Sequence, residues 1–322
     1  MSAGLGTRGT QGSGTQSATC FGRRPSQFPM TEDLKSLGEQ IEHALAKHMP
    51  HQSDIAQPML DAMRYAVLGG GKRLRPMMVC ASCQAFGGQV TQALPVACAF
   101  EFIHAYSLIH DDLPAMDDDA LRHGKAATHV AFGEANAILA GDSLHSLAFQ
   151  AVVDAQDITD GAKLRIIGLL SKAAGWPGMS GGQCLDIEAE GTSLSLAELE
   201  ALHQAKTGAL IRAALESGAL CAGTDPSSRE FARLGTFGDK IGLAFQVVDD
   251  ILDITQDSAT LGKPADSDTV NDKNTFPRLM GLEAAKEKAH GLLEESLALL
   301  EEASIATPLM ITLAKKSVQR SF

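Results

Sequence analysis

Apolar residues between positions 231 and 252 recur at the spacing of one helix face. They follow one another at steps of three and four residues, at Phe231, Leu234, Gly238, Ile241, Phe245, Val248 and Leu252. A period near 3.6 places these residues on a single stripe of one long helix. The pattern therefore predicts a helix that faces a core along its whole length.

The rest of the chain after Thr31 gives the same prediction. Ala, Leu, Glu, Gln and Lys dominate, and no sustained alternation of β-branched residues appears. Ser195 and Glu198 form a capping box that predicts a helix start, and Asp225-Pro226 predicts the start of the next helix. Glycine-rich breaks separate roughly ten such segments. The predicted fold class is all-α, a single-domain bundle of about ten helices over residues 30–322.

Residues 1–29 differ from the remainder in composition. They are rich in Gly, Ser, Thr and Gln and contain no acidic residue. Such a segment cannot bury enough apolar surface to order itself, so it is predicted to be a disordered N-terminal extension. The Ser, Thr and Arg content also resembles that of a transit peptide, but a disordered extension is the favoured interpretation. Translation could instead start at Met30.

Composition and charge exclude several classes of partner. The 322 residues carry a formal net charge of −12, which argues against nucleic acid or an anionic membrane surface. The sequence contains no run of 18 apolar residues, so no membrane-spanning helix is expected. Six cysteines without a secretory signal predict a reduced, cytoplasmic protein, and the CxxC pair Cys80 and Cys83 is expected to be packing rather than a metal or redox site.

Two acidic stretches carry the candidate chemistry. The first acidic stretch, residues 108–124, reads LIHDDLPAMDDDALRHG and places five aspartates within nine residues. Pro114 disfavours a regular helix there, which could turn Asp117 back towards Asp111. The second acidic stretch, residues 245–253, reads FQVVDDILD, and its polar side chains share a sector of about 100° beside the apolar stripe.

The residue types favour a divalent cation. Carboxylates without clustered His or Cys favour Mg²⁺ or Mn²⁺ over zinc, and Mg²⁺ commonly completes its shell with phosphate oxygens. The alternative is that each stretch is a solvated helix face. A basic stretch at residues 68–76, LGGGKRLRP, adds Lys72, Arg73 and Arg75, whose charges suit phosphate, although such turns are also common on surfaces.

Taken together, these motifs resemble one family. GGGKRLRP, HAYSLIHDDLPAMDDDALRHG, GGQCLD, KTGAL, FQVVDDILD and LGKPADSDTVNDKNTFP occur in the order found in trans-prenyl diphosphate synthases, over about residues 31–318. The four residues within DDxxxxD make bacterial farnesyl diphosphate synthases the most similar group. The resemblance implies helices around a deep cavity, a homodimer, and head-to-tail condensation of isopentenyl diphosphate with an allylic diphosphate to give (2E,6E)-farnesyl diphosphate.

The resemblance also implies roles for individual residues. Three Mg²⁺ ions per active site are expected, with Mn²⁺ as an alternative, held by Asp111, Asp112, Asp117, Asp249, Asp250 and Asp253. The allylic diphosphate would contact Arg122, Lys206 and Lys263, and Lys273 would add charge above it. Isopentenyl diphosphate would contact Lys72, Arg75, His104 and His123. The developing allylic cation would face Lys206, Thr207 and Gln246, and the cavity would also be lined by Gln183 and Asp186.

Two features bear on specificity. The family commonly has a second arginine where this chain has His123, so a weaker hold on isopentenyl diphosphate is expected. Bulky residues four and five positions before the first aspartate close the family's allylic pocket, and here these are Ser107 and Tyr106. The tyrosine favours a C15 product over the geranyl (C10) or geranylgeranyl (C20) alternatives. Phe100 and Phe102 could be further plugs, or simply core.

Rival functions fit the motifs less well. A terpene cyclase would carry a different second metal motif and more aromatic residues than the 5% found here. A non-catalytic regulatory subunit would be expected to lack one aspartate motif, whereas both are present. A purely structural helical protein with acidic faces is the remaining alternative.

Overall fold

The computed structural model describes residues 30–255 and 274–319 together with Met1. Residues 2–29 of the extension predicted at 1–29, together with Lys263 and Lys273, lie outside the described residues. The α-helices are α1 Met30–His48, α2 Gln57–Val67, α3 Leu74–Ala85, α4 Val90–Asp111, α5 Thr128–Phe132, α6 Glu134–Val153, α7 Asp160–Ala174, α8 Met179–Glu188, α9 Leu196–His203, α10 Ala209–Cys221, α11 Arg229–Thr255, α12 Phe276–Met280, α13 Leu282–Glu302 and α14 Pro308–Val318.

The all-α prediction is confirmed. Across the two described ranges the β-structure is one antiparallel pair, β1 Leu121–Arg122 and β2 Lys125–Ala126. Twelve of the fourteen described helices have eight or more residues, close to the roughly ten predicted. The predicted apolar stripe lies on α11, which packs against α13 and α10.

The core lies among α3, α4, α6, α10 and α11. Phe100 and Phe102 on α4 are completely buried in it, so of the two interpretations of these residues the core packing is the one observed. Cys80 and Cys83 are also buried and free, as predicted for packing residues. Burial raises the pKa of the Cys83 thiol to about 11, which keeps it protonated and unreactive.

Helix α4 is long and apolar enough to cross a membrane, contrary to the expectation drawn from apolar runs alone. Within this fold, 61% of its apolar window is buried. The apolar character of α4 is therefore accounted for by its central position in the core.

The capping predictions have different outcomes. The Ser195–Glu198 capping box is present, with the Ser195 amide donating to the Glu198 carboxylate at 2.8 Å. The start predicted at Asp225-Pro226 is wrong, because α11 begins at Arg229. Asp225 instead accepts the Ser227 amide at 2.9 Å in a turn, and the Ser228 hydroxyl accepts the Phe231 amide at 3.2 Å. The Asp side chain is used by its own turn and cannot also cap the helix.

One helical segment contains an irregularity that the sequence did not predict. Between α9 and α10 the chain forms a π-helical turn, Gln204–Gly208, in which the Ala209 amide donates to the Gln204 carbonyl five residues earlier. Segments of this kind are rare and frequently mark functional sites. This π turn contains Lys206 and Thr207.

Candidate active site

Both acidic stretches and the basic stretch line one cavity of about 450 Å³. Eleven of the residues predicted for the site are among its lining residues: Lys72, Arg75, His104, Asp112, Arg122, His123, Thr207, Gln246, Asp249, Asp250 and Asp253. They come from positions more than 180 residues apart in the chain. The fold thus brings two carboxylate walls and a set of cations to the same space.

The first wall is formed where α4 ends. The Asp117 amide donates to the Asp111 carbonyl at 2.9 Å, so the chain turns back on itself after the helix. Pro114 lies within this turn, and Asp118 has a left-handed φ of 53°. The turn returns Asp117 to the end of the helix that carries Asp111, in the direction that Pro114 predicted.

Asp112 is engaged within the protein. Its side chain is almost fully buried and accepts a hydrogen bond from Arg122 Nε at 2.9 Å. Arg122 also lies 3.3 Å from Asp119. Burial raises the pKa of the Asp112 carboxyl, and the hydrogen bond from Arg122 lowers it in part. Asp112 therefore orients the arginine that would meet a diphosphate.

Asp111 has an environment that favours a cation. The pKa of the Asp111 carboxyl is raised to about 6, mainly by burial and in part by repulsion from Asp117 and Asp112, while Lys206 and Arg122 act in the opposite direction. A carboxylate that is costly to ionise in this place gains from a nearby positive charge. The influence of Lys206 also shows that the π turn lies close to the first wall.

The second wall is formed by α11. The Thr207 hydroxyl donates to Gln246 at 3.0 Å, and the Gln246 amide donates to Asp250 at 3.1 Å. Asp250 also accepts the backbone amide of Phe276 at 3.0 Å, and its carboxylate lies 3.7 Å from His203. Asp250 is therefore fixed by the protein, while its neighbour Asp249 lies on the same cavity.

The basic stretch divides into two kinds of residue. The Arg73 guanidinium points into the protein, where it pairs with Glu42 and Glu101 at 2.6 Å each and donates to the Val67 carbonyl at 2.7 Å. Lys72 and Arg75 line the cavity. Burial lowers the pKa of Arg75, and the carboxylates of Glu101 and Asp249 offset this effect. Asp249 is thus within electrostatic reach of the basic stretch.

Both histidines predicted to meet a diphosphate are held neutral. Burial lowers the pKa of His104 well below its usual value, with Arg75 and His123 contributing in the same direction. Burial, Arg122 and other cations lower the pKa of His123. Near pH 7 each would act as a neutral hydrogen-bonding group, so the cationic charge beside them comes from arginine and lysine.

Some predicted residues do not line this cavity. Lys206 pairs with Asp186 at 2.6 Å. Tyr106 packs edge-on between His110 and His145, with ring centroids 5.2 Å apart in each case. The other predicted residues absent from the lining are Asp111, Asp117, Ser107, Gln183 and Asp186. A chain-length role for Tyr106 and Ser107 stays a prediction.

Sequence reasoning missed three contributors. Lys125 follows the first acidic stretch, lines the cavity and donates to the Gly69 carbonyl at 3.1 Å. Glu101 orients Arg73, and the Phe276 amide holds Asp250. Of these three, only Lys125 could have been found from the sequence, because it follows the Arg122-His123 pair that was predicted to bind diphosphate. The other two depend on contacts between distant segments.

The donor set fits Mg²⁺. Among the described residues, no three acidic, histidine or cysteine side chains converge closely enough to hold a cation by themselves. Mg²⁺ typically takes only one or two carboxylates and keeps waters or phosphate oxygens as its other ligands. A site with one or two carboxylates on each wall, and the raised pKa of Asp111, matches that requirement.

Comparison with known proteins agrees with this site. A family described as polyprenyl synthetase matches residues 56–307. The chain belongs to this family. The matched range includes the basic stretch, both acidic stretches and the π turn.

Individual relatives and solved structures are similar over most of their length. Farnesyl diphosphate synthase of Escherichia coli (strain K12) is 46% identical over 299 residues, which cover 91% of this chain and 99% of that protein. A chloroplastic geranylgeranyl pyrophosphate synthase large subunit of Arabidopsis thaliana is 44% identical over 84% of this chain and 74% of its own. The structure of a geranyltransferase from Helicobacter pylori, complexed with magnesium and isoprenyl diphosphate, superimposes with a TM-score of 0.80 at 36% identity, covering 92% and 98% of the two chains.

Proposed function

We propose that this protein is a prenyltransferase that condenses isopentenyl diphosphate with dimethylallyl or geranyl diphosphate to form (2E,6E)-farnesyl diphosphate. The observation that carries the proposal is the convergence of two carboxylate walls and a basic stretch on one cavity. Farnesyl diphosphate synthases with 40–46% identity over most of the chain support it.

The reaction divides the cavity into two regions. Lys72, Arg75, His104 and His123 would receive isopentenyl diphosphate, with Arg75 as a fork that suits two phosphate oxygens. Arg122, already oriented by Asp112, and Lys206 would receive the allylic diphosphate. Holding the two substrates together makes the condensation effectively intramolecular.

Breaking the allylic C–O bond creates a carbocation and a diphosphate leaving group. Bound Mg²⁺ would neutralise the charge that develops on the leaving oxygens. Thr207 and Gln246, joined by a hydrogen bond of 3.0 Å, line the cavity where the cation would form, and their oxygens would stabilise it. The homoallylic alkene then attacks C1, and the carbocation that results loses a proton to the departing diphosphate, because among the described residues no dedicated general base is evident beside either wall.

The metal content is part of the proposal. Asp111 and Asp117 would hold Mg²⁺ from the first wall and Asp249 from the second, with Asp112, Asp250 and Asp253 acting through waters or by fixing their neighbours. We propose three Mg²⁺ ions per active site, with Mn²⁺ able to replace them. The magnesium complex of the similar geranyltransferase supports the choice of metal.

We further propose a cytoplasmic homodimer. Several large apolar side chains are exposed on α5 and α6, and burying them against a second copy would remove them from water: Val130, Ile138, Leu139 and Val153. The five described cysteines are free, and four of them are buried, which agrees with a reducing compartment. Light scattering after gel filtration, and cell fractionation, test these two statements.

Product analysis tests the proposed function. Purified protein incubated with Mg²⁺, isopentenyl diphosphate and dimethylallyl diphosphate should give a dephosphorylated product that co-migrates with farnesol, and no product should form with EDTA. A C10 or C20 product would correct the chain length alone. No condensation under any metal condition would contradict the proposed function.

A further inference from the structure

Three residues of α11 contact the π turn Gln204–Gly208, two through hydrogen bonds and one through close backbone packing. Gln204 donates to Asp239 at 2.8 Å, and Thr207 donates to Gln246 at 3.0 Å. Between them, Gly242 lies against Gly208, so closely that a Cβ added at Gly242 would be 2.8 Å from the Gly208 Cα. Asp239, Gly242 and Gln246 follow at steps of three and four residues, so one face of α11 supports the π turn.

Asp239 makes a second contact beyond the π turn. Its other carboxylate oxygen accepts a hydrogen bond from Arg212 Nη1 at 2.8 Å. Arg212 is in turn oriented by Glu216, which accepts from Arg212 Nε at 2.9 Å. Asp239 therefore bridges Gln204 at the start of the π turn and Arg212 on α10.

This bridge depends on the π turn. In an α-helix each residue turns the chain by about 100°, so the eight steps from Gln204 to Arg212 amount to two full turns plus about 80°. The two side chains would then point in directions about 80° apart. A π turn absorbs one extra residue, so the same eight steps give the rotation of about seven, roughly 20° short of two turns. Gln204 and Arg212 consequently point to nearly the same side only when the turn is π-helical, and a carboxylate that bonds both favours that form.

We propose that Asp239 is a positioning residue that maintains the π turn and thereby places Lys206 and Thr207 for ionisation of the allylic substrate. Asp239 is absent from the residues that line the cavity, so it acts through the turn. This inference rests on the proposed function for its catalytic consequence. A turn that relaxed to an α-helix would rotate the oxygens of Lys206 and Thr207 away from the cation.

The opposite side of the π turn packs closely against α8, so a change to α-helix would also disturb those contacts. Gly182 on α8 lies against Lys206, and a Cβ added at Gly182 would be 2.3 Å from the Lys206 amide nitrogen. The Lys206 side chain pairs with Asp186 on the same helix at 2.6 Å. Rotation of Lys206 would therefore break its contacts with α8.

The test compares Asp239→Ala with a control at the next residue, Lys240→Ala. Lys240 forms an ion pair with Glu295 on α13, away from the π turn. We expect Asp239→Ala to lower kcat at least tenfold while the KM of both substrates changes less than threefold, and Lys240→Ala to leave kcat within twofold. Adding Gln204→Ala to Asp239→Ala should lower kcat less than twofold further, since both remove one contact.

Two results would overturn the inference. One is a kcat for Asp239→Ala that equals that of Lys240→Ala when both melt at similar temperatures. The other is unchanged hydrogen exchange over residues 204–212 in Asp239→Ala, where faster exchange than in wild type is expected. Hydrogen exchange needs no turnover, so it decides the inference even if the wild-type protein makes no prenyl product, which would contradict the proposed function alone.

Discussion

Arg73 and Glu101 form an ion pair of 2.6 Å in which each side chain is only 5% exposed. Arg73 belongs to the basic stretch that precedes α3, and Glu101 lies at the centre of α4. The pair holds Arg73 at a left-handed φ of 48°, an unusual conformation for a residue with a Cβ. It fixes the backbone between Lys72 and Arg75, two residues of this stretch that line the cavity and are predicted to meet phosphate.

Removing Arg73 should destabilise the protein strongly. Arg73→Met leaves the Glu101 carboxylate buried without its partner, which typically costs about 3–5 kcal/mol in the free energy of unfolding. Urea denaturation measures this value. The control is Lys35→Met, which breaks an exposed pair of 3.9 Å with Glu39 and should cost less than about 0.5 kcal/mol. Equal effects of the two changes would show that the buried pair has no special importance.

His123→Arg should strengthen binding of isopentenyl diphosphate. The wild-type imidazole is neutral near pH 7, because burial and the surrounding cations lower its pKa. Arginine would add a permanent charge and more donors, so the KM for isopentenyl diphosphate should fall, by about threefold to tenfold for roughly 1 kcal/mol. The KM for geranyl diphosphate is the internal control. An unchanged KM for isopentenyl diphosphate would mean that Lys72, Arg75 and Lys125 already suffice.

Acid should destabilise the fold through His104. Its folded-state pKa is depressed well below 6.5, so the unfolded chain binds the proton first as the pH falls through 6.5. Stability is therefore lost from that pH downward, with a slope of at most about 1.4 kcal/mol per pH unit for this residue. Unfolding free energies at pH 7.0 and 5.5 should differ less in His104→Gln than in wild type. The exposed His51→Gln serves as control, and an identical difference in all three proteins would exclude this role.

Tyr106→Ala should lengthen the product. The Tyr106 ring fills the space between α4 and α6 beside His145, and its loss would deepen the cavity on that side. Chromatography of dephosphorylated products measures the change from C15 to C20 or longer. Tyr65→Ala removes the same volume from the side of the cavity near Lys125, so it should not lengthen the product. An unaltered C15 product from Tyr106→Ala would place the pocket floor elsewhere.

The sequence predicted features that depend on neighbouring residues. The stripe on α11, the Ser195 capping box and the turn at Pro114 all follow from local spacing, and each is present. Phe245 and Val248 also placed the second acidic stretch beside the core, where Asp250 and Asp253 are 3% exposed. Local periodicity therefore predicted the position of the second wall, and Pro114 predicted the turn that forms the first.

Other features depend on residues far apart in the chain. The π turn at Lys206 is supported by Asp239 and Gln246, more than thirty residues later, so no pattern around Lys206 could reveal it. Arg73 looked like one more phosphate-binding cation, because Glu101 lies 28 residues away. The start of α11 was misplaced because Asp225 could serve either a turn or a helix, and its hydrogen bonds decide between them.

Calorimetric titration with inorganic pyrophosphate tests most directly whether the two acidic walls act together through Mg²⁺. Wild-type protein should bind pyrophosphate tightly with Mg²⁺ and at least a hundredfold more weakly with EDTA. Asp111→Asn and Asp249→Asn, which change opposite walls, should each remove most of the Mg²⁺-dependent gain. Binding that persists in EDTA, or that survives in Asp249→Asn while Asp111→Asn abolishes it, would contradict a shared site.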